Sequence, residues 1–208
     1  MPKRNIVKQY GEGEFYHCYN RGVNGQDIFQ SPDDFGYFLS LFKRHLSSEP
    51  ARDRTRRLYP HYAGKVELAA YCLMPNHYHL LLYLKEVDGI ELLMRSVMTA
   101  YSGYFNRNYS RTGKLFEGHF LASRITSDEY LWHVSQYIHL NPLDIGQDPQ
   151  KYEYSSLLYF RSDRASEWVH PEWLVRTSDE RSAYVKSLVD HEDYHELRHA
   201  ISHQLADE

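Results

Sequence analysis

The run HYHLLLYL, residues 77–84, constrains the fold more than any other stretch of this chain. In an extended strand successive side chains leave opposite faces. His77 and His79 therefore project one way, while Tyr78, Leu80, Leu82 and Leu84 project the other. The leucine row needs a covered core; the histidine face must be something else. Immediately upstream, KVELAAYCLM (65–74) is a second strand candidate, and Pro75-Asn76 is a turn signal. A two-residue connection makes the pair an antiparallel hairpin. Two imidazoles at i and i+2 can offer two ring nitrogens to one divalent ion. They can equally be a hydrogen-bonded pair on a sheet surface, and the spacing alone leaves both readings open.

The remaining elements fall around this hairpin. FYHCYN (15–20) reads as a strand running into the turn Arg21-Gly22. Ser31-Pro32-Asp33-Asp34 opens a helix, with Ser as N-cap, Pro first and acids in the first turn. Phe35, Phe38, Leu39 and Phe42 then recur at helical period. Residues 48–60 are polar and basic and read as a loop. Asp88–Tyr109 carries an apolar stripe from Ile90 to Phe105 and reads as a long helix. GKLFEGHFLASRI (113–125) supplies another strand. Thr126 and Glu129 form a capping box that opens a helix ending near Asn141, because Pro142 disfavours helical geometry in the residue before it. KYEYSSLLYF (151–160) reads as an aromatic loop, and a last helical segment runs from about Asp179 to the end. The order β-α-β-β-α-β-α predicts an α+β fold. Its first six elements are a ferredoxin-like βαββαβ antiparallel sheet with helices on one face. The seventh, 127–141, is left to cover the other. Two regions are expected: a catalytic domain over 1–146, and an aromatic loop with a C-terminal helical extension over 147–208 packed on it.

Charge is unevenly distributed. Residues 1–125 hold 17 Lys+Arg against 12 Asp+Glu, a net of +5; residues 126–208 hold 7 against 16, a net of −9. A basic front and an acidic tail suit a nucleic-acid partner and suit equally a solvated acidic helix. Cys18 and Cys72, without a secretory leader, point to reduced thiols in a cytoplasm. No stretch approaches the roughly 20 apolar residues of a membrane span, so no membrane partner is expected.

Three other histidine chemistries fail on inspection. A histidine-triad hydrolase needs a third alternating His, but residue 81 is Leu. An RNA-ligase-like phosphoesterase needs Ser or Thr at residue 79, which is His. A barrel amidohydrolase needs far more chain. These exclusions raise the reading of a His-aromatic-His metal site on a small antiparallel sheet, with the hydrogen-bonded pair still open beside it.

At MPNHYHLLL the sequence resembles the HUH motif of single-tyrosine transposases, specifically the REP-associated tyrosine transposase branch. Three further blocks are similar to that branch in collinear order: FYHCYNRGVNGQDIF with its NRG turn, YFNRNYSRTGKLFEGHF, and YLWHVSQYIHLNPLDIG with the YI-x-x-NP signature. The resemblance spans about residues 14–160. It departs from the branch at Phe116, Glu117 and His119, where details of DNA contact change.

The resemblance implies a transposase that cleaves and rejoins single-stranded DNA beside a hairpin. It implies a Mg²⁺ or Mn²⁺ ion held by His77 and His79, and Tyr137 as the nucleophile that forms a 5′-phosphotyrosine and releases a 3′-hydroxyl. Asn141 lies one helical turn after Tyr137, on the same face. It reads either as a third metal ligand or as a helix C-cap. Tyr130 and His133 share that face in supporting roles. Candidate DNA contacts are Asn20 and Arg21 in the turn, and the basic loop Arg52, Arg54, Arg56 and Arg57, which is otherwise solvated. A second basic patch comprises Arg107, Arg111, Lys114 and Arg124. The partner implied is single-stranded DNA with a hairpin, bound by a monomer or a homodimer. Two other functions fit the same residues: a domesticated protein that binds hairpins without cutting, and a phosphodiesterase that uses water.

Overall fold

The computed structural model describes residues 10–162, 166–188 and 201. Strand β1 (Glu14–Arg21) leads through a short turn to helix α1 (Pro32–Leu46). Strands β2 (Val66–Met74) and β3 (His77–Leu84) form the hairpin, followed by helix α2 (Gly89–Asn108), strand β4 (Leu121–Arg124) and helix α3 (Asp128–Leu140). Helices α4 (Leu157–Arg161) and α5 (Ser178–Ser187) follow. The sheet order is β2-β3-β1-β4, with every neighbouring pair antiparallel. This is the expected ferredoxin-like α+β plan.

Each face of the sheet has its own apolar core. Tyr78, Leu80, Leu82 and Leu84 meet Phe38 and Phe42 of α1 and Leu93, Val97 and Tyr101 of α2 on one side. On the other, Ala69, Ala70, Cys72 and Leu81 meet Val134, Tyr137 and Ile138 of α3, with Leu157, Phe160 and Tyr184 behind them. The small side chains of β2 let α3 sit close. A register shift between Leu68 and Ala70 lets both alanine methyls join the α3 side.

Four local expectations change. Ser127 rather than Thr126 caps α3, its hydroxyl accepting from the Tyr130 amide at 3.1 Å, so the helix starts one residue later. The strand expected over 113–125 is only Leu121–Arg124; upstream of it, Phe116 makes a single bridge to Gly22. Within the aromatic loop, residues 154–156 run along the open edge of β2, with Leu73 donating to the Tyr154 carbonyl and Ser156 to the Tyr71 carbonyl, and α4 follows. Covering an edge strand in this way satisfies backbone groups that would otherwise be open to pairing. The helix expected from about Asp179 is α5, Ser178–Ser187, and its expected continuation from 189 lies outside the described residues apart from 201.

Candidate active site

The register of β1 against β3 builds the site. Arg21 stands opposite His77, Tyr19 opposite His79 and His17 opposite Leu81, so these residues share the face that α3 covers. Both histidines lie at the hairpin end of the sheet. His77 is half-buried, His79 is buried, and Tyr137 and Asn141 descend onto them from α3. The rings of His79 and Tyr137 meet edge to face, centroids 5.3 Å apart, and those of His77 and His79 lie 5.0 Å apart at 83°.

Hydrogen bonds fix the orientation of the donor atoms. The Asn141 Nδ2 donates to the Tyr137 carbonyl at 2.8 Å, which turns Asn141 Oδ1 toward His77 Nε2, 3.4 Å away. His77 Nδ1 lies 2.6 Å from Asn76 Oδ1, while the Asn76 Nδ2 points to the Gly25 carbonyl at 3.4 Å. Both oxygens can only accept, so a neutral His77 donates to one of them; with its proton on Nδ1, toward the shorter contact, the Nε2 lone pair faces Asn141 Oδ1. Two acceptors at that distance can share a cation. Two ligands about 2.1 Å from one ion, at roughly 90–109°, stand about 3.0–3.4 Å apart. The residues present therefore fit a divalent ion held by His77, His79 and Asn141. Among the described residues no three of His, Cys, Asp and Glu gather for a metal; this donor set is two imidazoles and an amide oxygen.

His17 is the principal residue that the sequence reading missed. It is fully buried, and its Nε2 lies 2.9 Å from His79 Nδ1 with the two rings stacked at 22°. Burial pushes its pKa down to about 3, so it is neutral. The period-2 alternation that exposed His77 and His79 also places His17, Tyr19 and Arg21 on one face of β1. Applied to FYHCYNR, it would have found the third imidazole.

The other candidates are more dispersed. Tyr130 is half-buried, and its hydroxyl is a buried atom without a hydrogen-bond partner; burial, aided by Tyr19, pushes its pKa up to about 12. His133 is half-buried one turn before Tyr137. Asn20 donates to the Gly118 carbonyl at 3.0 Å and accepts from the Arg21 amide at 2.9 Å, fixing the loop that carries Glu117. Arg21 forms an ion pair with Glu117. At Gly22 an added Cβ would lie 2.1 Å from the Gln26 carbonyl oxygen, so only glycine permits this turn. Arg111 is held near that turn by a 2.8 Å bond to Gln26, and Lys114 and Arg107 are exposed. Arg124 instead pairs with Glu14 at 2.5 Å, toward the far end of β1. The loop of Arg52, Arg54, Arg56 and Arg57 is also remote, because it leads into the start of β2 while His77 follows its end.

A four-stranded antiparallel sheet bearing paired histidines, faced by a helix bearing tyrosine and asparagine, defines an α+β domain with a phenol beside candidate metal ligands. The fold is shared with the solved structure of a REP-associated tyrosine transposase bound to a REP hairpin. The two are 15% identical with a TM-score of 0.55, covering 79% of this chain and 90% of that one. A candidate transposase from Deinococcus radiodurans is also similar, at 15% identity and a TM-score of 0.39, covering 63% of this chain and 95% of that one. No curated protein matches the chain. Residues 43–141, which hold His77, His79, Tyr137 and Asn141, match the family described as transposase IS200 like. That match supports a role in DNA processing of the transposase type. Among the described residues no helix is long and apolar enough to cross a membrane.

Proposed function

We propose that this protein is a REP-associated type of single-tyrosine transposase, which nicks and rejoins single-stranded DNA beside a hairpin through Tyr137. One observation supports the reading above the others: within a single chain, Tyr137 packs against His79 while Asn141 Oδ1 and His77 Nε2 converge. Nucleophile and ligands gathered within one chain support a site built by a single subunit.

A divalent ion, when bound, supplies Lewis-acid polarisation of the scissile phosphate. His77, His79 and Asn141 would hold it, and the bond from Asn141 to the Tyr137 carbonyl keeps that side chain in register with the nucleophile. The Tyr137 oxygen, having lost its proton, attacks phosphorus in line. The P–O3′ bond breaks, the 3′-oxygen takes up a proton, and the 5′-phosphate remains on Tyr137. A later 3′-hydroxyl reverses the step and joins strands without a nucleotide cofactor. Burial of Tyr137 to 6% exposure keeps the linkage away from bulk water, which favours rejoining over hydrolysis.

The test is a single-stranded oligonucleotide carrying a hairpin, incubated with protein and Mn²⁺ and resolved on a denaturing gel. A covalent adduct absent in Tyr137→Phe is expected. Cleavage without an adduct, unchanged in that variant, identifies a water-using phosphodiesterase. Hairpin binding with neither product identifies a non-cleaving binder.

A further inference from the structure

We infer that His17 is a positioning residue that sets which nitrogen of His79 faces the metal. This inference rests on the metal reading proposed above and adds a residue to it. The hydrogen bond between His17 Nε2 and His79 Nδ1 at 2.9 Å allows only two neutral arrangements. In one, His17 donates and His79 holds its own proton on Nε2, which removes that nitrogen as a ligand. In the other, His79 donates from Nδ1 to His17, and the Nε2 lone pair of His79 is available to join His77 Nε2 and Asn141 Oδ1. Only the second arrangement supports metal binding.

The fold supplies His17 with what this task requires. It is 0% exposed, stacked between Tyr19 and His79, and its ring cannot turn without disturbing both contacts. Its Nδ1 is a buried atom with no hydrogen-bond partner. Nothing beyond His79 therefore dictates the His17 tautomer, and the proton of the pair shifts as the ion requires. No structural bond requires an imidazole at residue 17. A core position in β1 would be filled as well by an apolar ring, as Phe15 is two residues earlier. A buried imidazole with one nitrogen orphaned and the other spent on a candidate ligand is accounted for by the ligand.

Two variants separate positioning from packing. Gln places an amide oxygen at the ε position and can still accept from His79 Nδ1–H; Phe keeps the ring and removes the acceptor. Isothermal titration of each folded protein with Mn²⁺ alone is expected to show His17→Phe weakened about 10- to 100-fold and His17→Gln within a few-fold of the wild type. In the wild type saturated with Mg²⁺, ¹⁵N spectra are expected to show His79 protonated on Nδ1. Equal Mn²⁺ affinity in the Phe variant and the wild type overturns the role of His17 alone. So does equal weakening of both variants, or a Mg²⁺-saturated His79 protonated on Nε2. If the Phe variant does not fold, the wild-type spectrum still decides. A wild type without saturable Mn²⁺ binding, indistinguishable from His77→Ala, overturns the metal reading itself and this inference with it.

Discussion

His79 and Tyr137 lie 58 residues apart in the chain, yet their rings meet at 5.3 Å and 79°. The contact is a packing contact first: an imidazole and a phenol edge to face, in the core beneath α3. Tyr137→Phe keeps that contact and removes one oxygen. It should leave the melting temperature within a few degrees of wild type and hairpin binding unchanged, while abolishing the covalent adduct and lowering cleavage by orders of magnitude. Thermal melts, gel shifts and adduct gels on the same preparation measure all of these.

Asn141 has two roles that substitution can separate. Its Nδ2 bonds the Tyr137 carbonyl and its Oδ1 faces His77. Asn141→Asp keeps the oxygen and adds a charge but loses the donor. We expect tighter Mn²⁺ binding with about 1 kcal/mol lower stability. Asn141→Leu should lose both. With two imidazoles and a single oxygen as donors, Mn²⁺ should bind more tightly than Mg²⁺, which prefers all-oxygen sites. Calorimetry with each ion, and loss of cleavage on chelation, check this.

Much of this was legible in the sequence because period and turn chemistry are local. The HYHLLLYL alternation fixed the faces of β3, Pro75-Asn76 fixed the hairpin, and element order left α3 to cover the histidines. What local pattern could not carry was register. Which residue of β1 stands beside His79 depends on pairing across 62 positions, and that pairing made His17 a neighbour. The spread of the arginines was hidden for the same reason. Arg124 sits close in sequence to Lys114, but its strand runs back toward Glu14 and away from the site.

Acid should weaken the hold of the C-terminal helix on α3. His139 is fully buried; its Nδ1 lies 2.7 Å from the Tyr184 hydroxyl of α5 and its Nε2 lies 2.8 Å from Ser156 Oγ. Tyr184 donates onward to Ser135, and Phe160 packs on the ring; none of these neighbours is charged. Burial depresses its pKa to about 3, below the unfolded value of about 6.5. Its contribution to stability is therefore complete above pH 6.5 and is lost as pH falls from there toward 3, at about 1.4 kcal/mol per pH unit. Urea melts at pH 7.5, 5.5 and 4.5 should show this slope, reduced in His139→Gln. Tyr184→Phe leaves the His139 donor unpaired and should cost about 1–3 kcal/mol at neutral pH.

At the mouth of the site, Arg21 stands opposite His77 but is paired with Glu117. Both side chains are substantially exposed, so the pair is worth little to stability. Its consequence is for charge: the carboxylate neutralises the cation nearest the candidate metal site. Glu117→Gln should leave stability unchanged, tighten single-stranded DNA binding several-fold at low salt and steepen its salt dependence. Arg21→Gln should do the reverse. Fluorescence anisotropy at several salt concentrations distinguishes these outcomes from no effect.

The arginine loop offers the last test, because it lies far from the chemistry. Asp53 Oδ1 accepts from the Thr55 amide, the Thr55 hydroxyl and the Arg57 amide, and Arg52 bonds the Arg56 carbonyl, so the hairpin 52–58 is ordered by its own side chains. Arg54, Arg56 and Arg57 are left exposed on it. The loop joins β2 at its start, and His77 follows its end, so about eight strand residues, roughly 26 Å, separate them. Stacked base pairs rise about 3.4 Å each, so a duplex of about eight pairs bridges that distance. If these arginines grip DNA, they grip the stem and not the cleaved strand. Replacing all three with Ala should weaken binding of a hairpin with a stem of ten pairs and flatten its salt dependence by up to about 0.9 per lost contact. A hairpin of four pairs should bind the variant and the wild type alike. Loss of affinity for both would place the contact near the nick, and loss for neither would leave the loop a solvated turn.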